Sequence, residues 1–219
     1  HYRYYAASLI KIVYALEMMY LLSEGIVKDT PILINDNFFV DEGTNILRDL
    51  STETKLRLRL TPRTLVRLML KHSCNGSTEA IWGIISSKDL RGFKKRLDSM
   101  WLPSGSEIFD KKGLFVNLMT PFAVMKLYQQ IYNDNKFLKD KMCLFLQDCL
   151  SEGKSRYSVF DQKDVGTKIL GCKGGQIYSF DKKRAYYHAS GVFETGRNKK
   201  KYIIVTMTES FSLPRARKW

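Results

Sequence analysis

Ala6-Ala7-Ser8-Leu9-Ile10-Lys11-Ile12-Val13-Tyr14-Ala15-Leu16-Glu17-Met18-Met19-Tyr20-Leu21-Leu22-Ser23-Glu24-Gly25 is the stretch from which the rest of the chain is read. Between Ser8 and Leu22 only Lys11 and Glu17 carry charge, and a helix that is apolar on nearly every face belongs in a core. Burying an ammonium is costly unless it is paired or gives up its proton. A hydroxyl three residues earlier gives the lysine a use: a desolvated, neutral amine can take the proton of a serine about to attack a carbonyl. A plainer reading competes, an N-cap serine followed by a snorkelling lysine. The same S-x-x-K spacing recurs at Ser151/Lys154 and Ser179/Lys182, in polar stretches where the lysine stays solvated.

Two further groups favour the chemical reading. His72-Ser73-Cys74-Asn75-Gly76 follows a helix marked by Thr61 as N-cap, Pro62 in the first turn and an apolar stripe of Leu65, Leu68 and Met69. Gly171-Cys172-Lys173-Gly174-Gly175-Gln176 leads into the strand-like Ile177-Tyr178-Ser179-Phe180, and its glycines allow backbone and ligand to approach closely. The order is therefore S-x-x-K, S-x-N, K-x-G, with gaps of 65 and 100 residues.

In this order the chain resembles the superfamily of class A β-lactamases and penicillin-binding proteins, serine acyl-transfer enzymes whose signatures run S-x-x-K, S-D-N and K-T-G. The resemblance extends over nearly the whole chain, including Met119-Thr120-Pro121 at the opening of a later helix. It implies Ser8 as nucleophile, Lys11 as its general base or relay, and Ser73 as proton donor to the leaving nitrogen. It implies Asn75 as a holder of the substrate's amide side chain and of Lys11. Lys173 would set the electrostatics around Ser73 and attract a substrate carboxylate. Gly175 and Gln176 would line the substrate site, and the backbone N–H groups of Ser8 and Gln176 would form an oxyanion hole, typically worth ~3 kcal/mol per donor. Ser73 and Asn75 also read as caps of a helix beginning near Ser77, and Lys173 as a sheet-edge charge.

The departures matter equally. Cys74 stands where the second signature has aspartate, and Gly174 where the third has a hydroxyl residue. Class A enzymes carry a glutamate, on a loop before the Thr-Pro helix, that activates the deacylating water. Here Pro103 to Asn117 contains no E-x-x-L-N pattern, and Glu107 and Asp110 are its only carboxylates. The expectation is an acyl-enzyme on Ser8, formed with β-lactams or D-Ala-type cell-wall peptides and lost slowly. The alternatives are a true β-lactamase with another deacylation base, or a non-catalytic β-lactam- or wall-binding module.

At 219 residues and 44% apolar content the chain suits one folded domain over 1–219. No apolar run reaches the length of a membrane span. The net charge of +14 is the generic signature of nucleic-acid binding. No helix-turn-helix, zinc finger or aromatic single-strand platform accompanies it, so nucleic acid is set aside; an anionic cell envelope is the more economical partner, and most of the charge reads as solvated surface. Cys74, Cys143, Cys149 and Cys172 lack zinc-site spacing, and the three histidines do not cluster, so neither a metal nor another cofactor is expected. Cys74 and Cys172 both adjoin signatures, which leaves a contact between them open. His72 beside Ser73 reads as a structural histidine. The family implies a monomer outside the cytoplasm, secreted, periplasmic or envelope-associated, its signal segment absent from this chain.

The periodicity predicts helices from about residue 8 to 155. They comprise the Ser8 helix ending near Gly25, Pro62 to His72, one beginning after Ser77 and another after Ser87. Thr120-Pro121 opens a further one with Val124, Leu127, Tyr128 and Ile131 inward, and Phe137 to Leu150 forms the last. Strands are predicted from about 166 to 210: Ile177 to Phe180, Ala185 to Phe193 and Tyr202 to Thr208, with turns at Asp181 to Arg184 and Gly196 to Lys201. The fold class is α+β (two-lobed): a helical lobe packed on an antiparallel β-sheet, β-lactamase/transpeptidase-like, lacking that family's N-terminal strands and C-terminal helix.

Overall fold

The Ser8 helix is the axis of the molecule. A computed structural model describes residues 2–34, 58–102, 105–133, 138–153, 167–178, 184–196 and 199–210. In it a single 3-10 turn, Ala7–Leu9, runs into helix α1, Ile10–Ser23. Every α1 residue from Ile10 to Met19 is buried, as its all-round apolar sequence requires. Helices α2 (Pro62–Lys71), α3 (Asn75–Arg96) and α5 (Asp140–Glu152) pack around it. Helix α4 (Pro121–Tyr132) lies against the last two strands of the main sheet.

The caps expected from sequence are in place. Thr61 Oγ1 accepts from Thr64 N at 3.3 Å and Thr120 Oγ1 from Ala123 N at 3.1 Å, each followed by proline at the first helical position. Val124, Leu127, Tyr128 and Ile131 are fully buried. The two helices expected after Ser77 and after Ser87 form one 22-residue element that starts at Asn75 and breaks at Asp89 (φ −158°, ψ 54°). Asp89 Oδ1 accepts from Gly92 N at 3.0 Å, so the aspartate caps a restarted helix inside the element.

The main sheet is antiparallel, ordered β6 (Thr167–Tyr178), β7 (Ala185–Thr195), β8 (Lys200–Ser210). Strand β6 begins ten residues before the expected Ile177, because Gly171, Gly174 and Gly175 mask its alternation. Lys173 pairs with Ser190 and Gly175 with His188. Ser179, Phe180, Asp181 to Lys183 and Lys154 lie outside the described residues.

Short strands unforeseen from sequence complete the frame. β1 (Tyr4–Tyr5), β4 (Glu107–Phe109) and β5 (Phe115–Met119) form a small sheet in the order β1-β5-β4, and β2 (Ile32–Leu33) pairs with β3 (Arg59–Leu60). His188 joins the sheets. Its Nδ1 accepts from Thr208 N at 3.3 Å, which leaves Nε2–H to donate to Tyr5 O at 2.7 Å. No helix among the described residues is long and apolar enough to cross a membrane.

Glu17, the second charge of α1, is fully buried and paired. Arg96 Nη2 meets its Oε1 at 2.6 Å and Trp101 Nε1 donates to its Oε2 at 2.8 Å. Arg96 also binds Asp89 Oδ2 at 2.7 Å, so one guanidinium ties α1 to both segments of α3. Removing one partner of such a pair strands a buried charge, which is far costlier than losing the whole pair.

Candidate active site

Ser8 lies in the 3-10 turn before α1, and the helix places Lys11 one turn further, at 3% exposure. The lysine does not snorkel. Its Nζ donates to Ser73 O at 2.8 Å, Ser73 Oγ at 3.1 Å and Asn75 Oδ1 at 2.7 Å. Ser73 and Asn75 are thus engaged with Lys11 rather than with a helix end; Cys74 is the N-cap residue of α3 and makes no side-chain cap. Ser73 has φ 55°, a left-handed turn that brings its hydroxyl back towards α1.

Ser73 Oγ is the node of the cluster. It accepts from Lys11 Nζ at 3.1 Å and from Lys173 Nζ at 3.0 Å, and it donates to Ser8 Oγ at 3.2 Å. The link from Ser8 to either lysine therefore passes through Ser73. Lys173 is fully enclosed, with a second bond to Gly174 O at 2.7 Å. Its strand position is fixed from the other side: Ser190 Oγ donates to Lys173 O at 2.8 Å, and Tyr128 OH donates to Ser190 O at 3.1 Å. The Lys173 ammonium thus meets Ser73 and Gly174 and is not among the residues that line the cavity beside Ser8.

Two ammonium groups cannot comfortably share one hydroxyl out of water. Burial lowers the Lys11 amine from 10.5 to about 8. Burial, then the neighbouring charge of Lys11, pushes Lys173 well below the ordinary lysine value. The pair is biased towards a state with one neutral amine, which is a base close to neutral pH.

Ser8, Lys11, Asn75 and Gln176 line a cavity of about 420 Å³, completed by Tyr5, Tyr14, Glu79, Trp82, Phe115, Asn117 and Ile177 among others. Ser73 and Lys173 sit behind its wall. Gly175 holds β6 against the turn that carries Ser8: a Cβ there would lie 3.1 Å from both Ser8 N and Ala6 O. Asn117 pins the same turn. Its Nδ2 donates to Ala7 O at 3.2 Å, and its backbone oxygen accepts from Ala6 N at 2.8 Å. Among the described residues four non-glycines have left-handed φ, and three of them, Ala7 (47°), Ser73 (55°) and Asn117 (50°), surround Ser8. Strain of this kind persists where the surroundings over-determine the backbone.

Sequence reasoning missed Asn117, Glu79 and the aromatic wall of Tyr14, Trp82 and Phe115. Glu79 was detectable in principle, because it follows Asn75 by four residues on one helix face; Asn117 gave no signal. Glu107 and Asp110, the carboxylates singled out from sequence, are absent from this cavity. Glu107 pairs with Arg3, and Asp110 Oδ1 accepts from Lys112 N and Leu114 N at 2.9 and 2.8 Å within its own turn. Cys74 and Cys172 are buried and form no disulfide with each other. A larger concavity of about 530 Å³ at Tyr2, Tyr4, Arg184, Glu209 and Ser210 has its charges already paired, Arg184 to Glu209 at 2.9 Å.

A sequence model of the β-lactamase enzyme family matches residues 1–219. The chain belongs to that family. Its fold is that of class A β-lactamases. The class A β-lactamase from Bacteroides cellulosilyticus superposes with a TM-score of 0.77 at 16% identity, over 99% of this chain and 80% of that one. The TLA-3 extended-spectrum β-lactamase gives 0.77 at 18% identity, over 96% and 78%. A β-lactamase from Chitinophaga pinensis gives 0.74 at 14% identity, over 99% and 81%. A search of curated proteins finds no match. Membership of the β-lactamase family makes the chain a serine hydrolase.

Proposed function

We propose that this β-lactamase-family hydrolase forms an acyl-enzyme on Ser8 with β-lactams, or with the D-Ala-type cell-wall peptides that they mimic. The observation that carries the reading is the convergence of two desolvated lysines on Ser73 Oγ, itself 3.2 Å from Ser8 Oγ. Ser8 Oγ attacks the carbonyl carbon while its proton moves through Ser73 to the neutral amine of the lysine pair. The developing oxyanion sits between the N–H groups of Ser8 and Gln176, brought close by the missing side chain at Gly175. The C–N bond then breaks, and Ser73 returns a proton to the leaving nitrogen. Asn75, held by Lys11, faces the cavity where an acyl-side amide would lie. The family's usual setting, outside the cytoplasm and against an anionic envelope, agrees with the net charge of +14.

Incubation with a fluorescent penicillin tests this. The expected result is covalent labelling that is lost in Ser8→Ala. Absence of both labelling and turnover in the wild type, over the accessible concentration range, would refute the acyl-enzyme and favour a binding module.

A further inference from the structure

Hydrolysis requires a second event, because an ester on Ser8 persists until a water molecule is deprotonated beside it. This inference rests on the acyl-enzyme proposed above. A group able to serve must face the cavity, be a base at neutral pH and be spared from the acylation machinery. Ser73 and Lys173 lie behind the cavity wall, and Lys11 has all three of its donor directions occupied by Ser73 O, Ser73 Oγ and Asn75 Oδ1. Glu107 and Asp110 belong to another part of the molecule. Among the described residues that line the cavity, one carries a carboxylate: Glu79.

Its placement follows from α3. Asn75, Thr78, Glu79 and Trp82 all line the cavity, at the i, i+3, i+4, i+7 spacing of a single helix face. Asn75 touches Lys11, so Glu79 stands one helical turn further along the same wall of a cavity that the β5 residues Phe115 and Asn117 also line. Its charge reaches the centre. Burial lowers Lys11, and the charges of Cys74 and then Glu79 oppose that fall. Burial raises the Tyr14 hydroxyl, and Glu79 raises it further. Glu79 has no ion-pair partner among the described residues, unlike Glu17, Glu107, Glu152 and Glu209. The cavity, at about 420 Å³, has room for an acyl group and for a water occupying about 30 Å³.

We infer that Glu79 is the general base of deacylation, supplied from a helix rather than from a loop. The carboxylate takes one proton from a water molecule as its oxygen attacks the ester carbonyl carbon. The tetrahedral intermediate then collapses, the bond from carbonyl carbon to Ser8 Oγ breaks, and Ser8 Oγ regains a proton from the Ser73–lysine relay. Glu79 passes the water's proton on to solvent, and the relay recovers from solvent the proton it gave to Ser8, so the centre returns to its starting state. The products are free Ser8 and the ring-opened acid, with no change of oxidation state.

Benzylpenicillin with the intact protein, followed by whole-protein mass spectrometry and by release of ring-opened product, distinguishes the possibilities. In Glu79→Gln the Ser8 adduct forms but persists about 100-fold longer or more than in the wild type, the usual worth of a general base. Glu79→Asp falls between the two. Glu79 is exposed, so neither substitution threatens folding. Adducts of equal lifetime in the wild type and Glu79→Gln would overturn the role of Glu79 while leaving acylation of Ser8 intact. A wild type that neither forms the adduct nor releases product would overturn the acyl-enzyme itself, and this inference with it.

Discussion

Replacing Lys11 by methionine separates what this residue does for catalysis from what it costs the fold. Methionine fills the volume without charge. In the folded protein burial lowers the amine from 10.5 to about 8, and at ~1.4 kcal/mol per pH unit that difference is about 3 kcal/mol. The sign follows from proton counts. Between pH 8 and 10.5 the unfolded chain holds more protons on Lys11 than the folded one, so wild-type stability rises with pH across that window. Below pH 8 the penalty is present in full. Relief of Lys173 from the Lys11 charge acts in the same direction, because Lys173 is lowered partly by that charge. Against the gain stand three acceptors left without their donor, Ser73 O, Ser73 Oγ and Asn75 Oδ1, at roughly 1 kcal/mol each where water does not replace it. The expectation at pH 7 is a variant as stable as the wild type or more so, by up to about 3 kcal/mol, with the advantage shrinking as pH rises from 8 to 10.5. Acylation by the fluorescent penicillin should fall about 100- to 10,000-fold. Urea unfolding at several pH values and a labelling time course measure both on one sample. A stability difference that does not change with pH, or acylation within a few-fold of wild type, would refute the assignment of a desolvated, functional amine.

Two further substitutions test the frame around the site. Gly175→Ala places a Cβ 3.1 Å from Ser8 N and Ala6 O, so β6 must retreat from the nucleophile turn; acylation should drop at least about tenfold while the melting temperature moves little, since overpacking at a cavity edge costs only about 1 kcal/mol. Glu17→Gln leaves Asp89 as the one charged partner of Arg96 among the described residues and should destabilise by about 2 kcal/mol without removing any site group; thermal unfolding measures the loss, and a labelling assay at low temperature should show acylation unchanged.

The long elements were legible because single forces set them. A fourteen-residue stretch interrupted by only two charges, Lys11 and Glu17, reads as a buried helix, and Thr-Pro twice announced a helix start that its cap geometry repeats. The short strands β1, β4 and β5 were not legible, because two to five residues carry too little alternation and their pairing is a tertiary matter. Strand β6 hid behind its glycines, which serve close approach rather than β-propensity. At the site, the motif order grouped Ser8, Lys11, Ser73, Asn75 and Lys173, and the structure brings these five together. It did not reveal that Ser73 stands between Ser8 and both lysines, nor that Lys173 is enclosed. Glu79 was obscured for another reason: on sequence it is one of 22 acidic residues, and only the helix face shared with Asn75 sets it apart.

The burial of α1 explains why the reactive groups sit where they do. A helix surrounded on every side by Leu, Ile, Val and Met supplies two things at once, a frame too well packed to shift and a setting too dry to solvate an ammonium. The same packing lets the backbone hold left-handed φ at Ala7, Ser73 and Asn117, each unfavourable by itself. Strain and desolvation here are consequences of one placement: three segments distant in sequence are pressed against the N-terminal turn of a core helix, where a hydroxyl faces a cavity and an amine does not. A protein with Ser8 and Lys11 on a surface helix would keep the motif and lose the chemistry, because water would restore the lysine to its ordinary value and no neutral amine would be available at neutral pH.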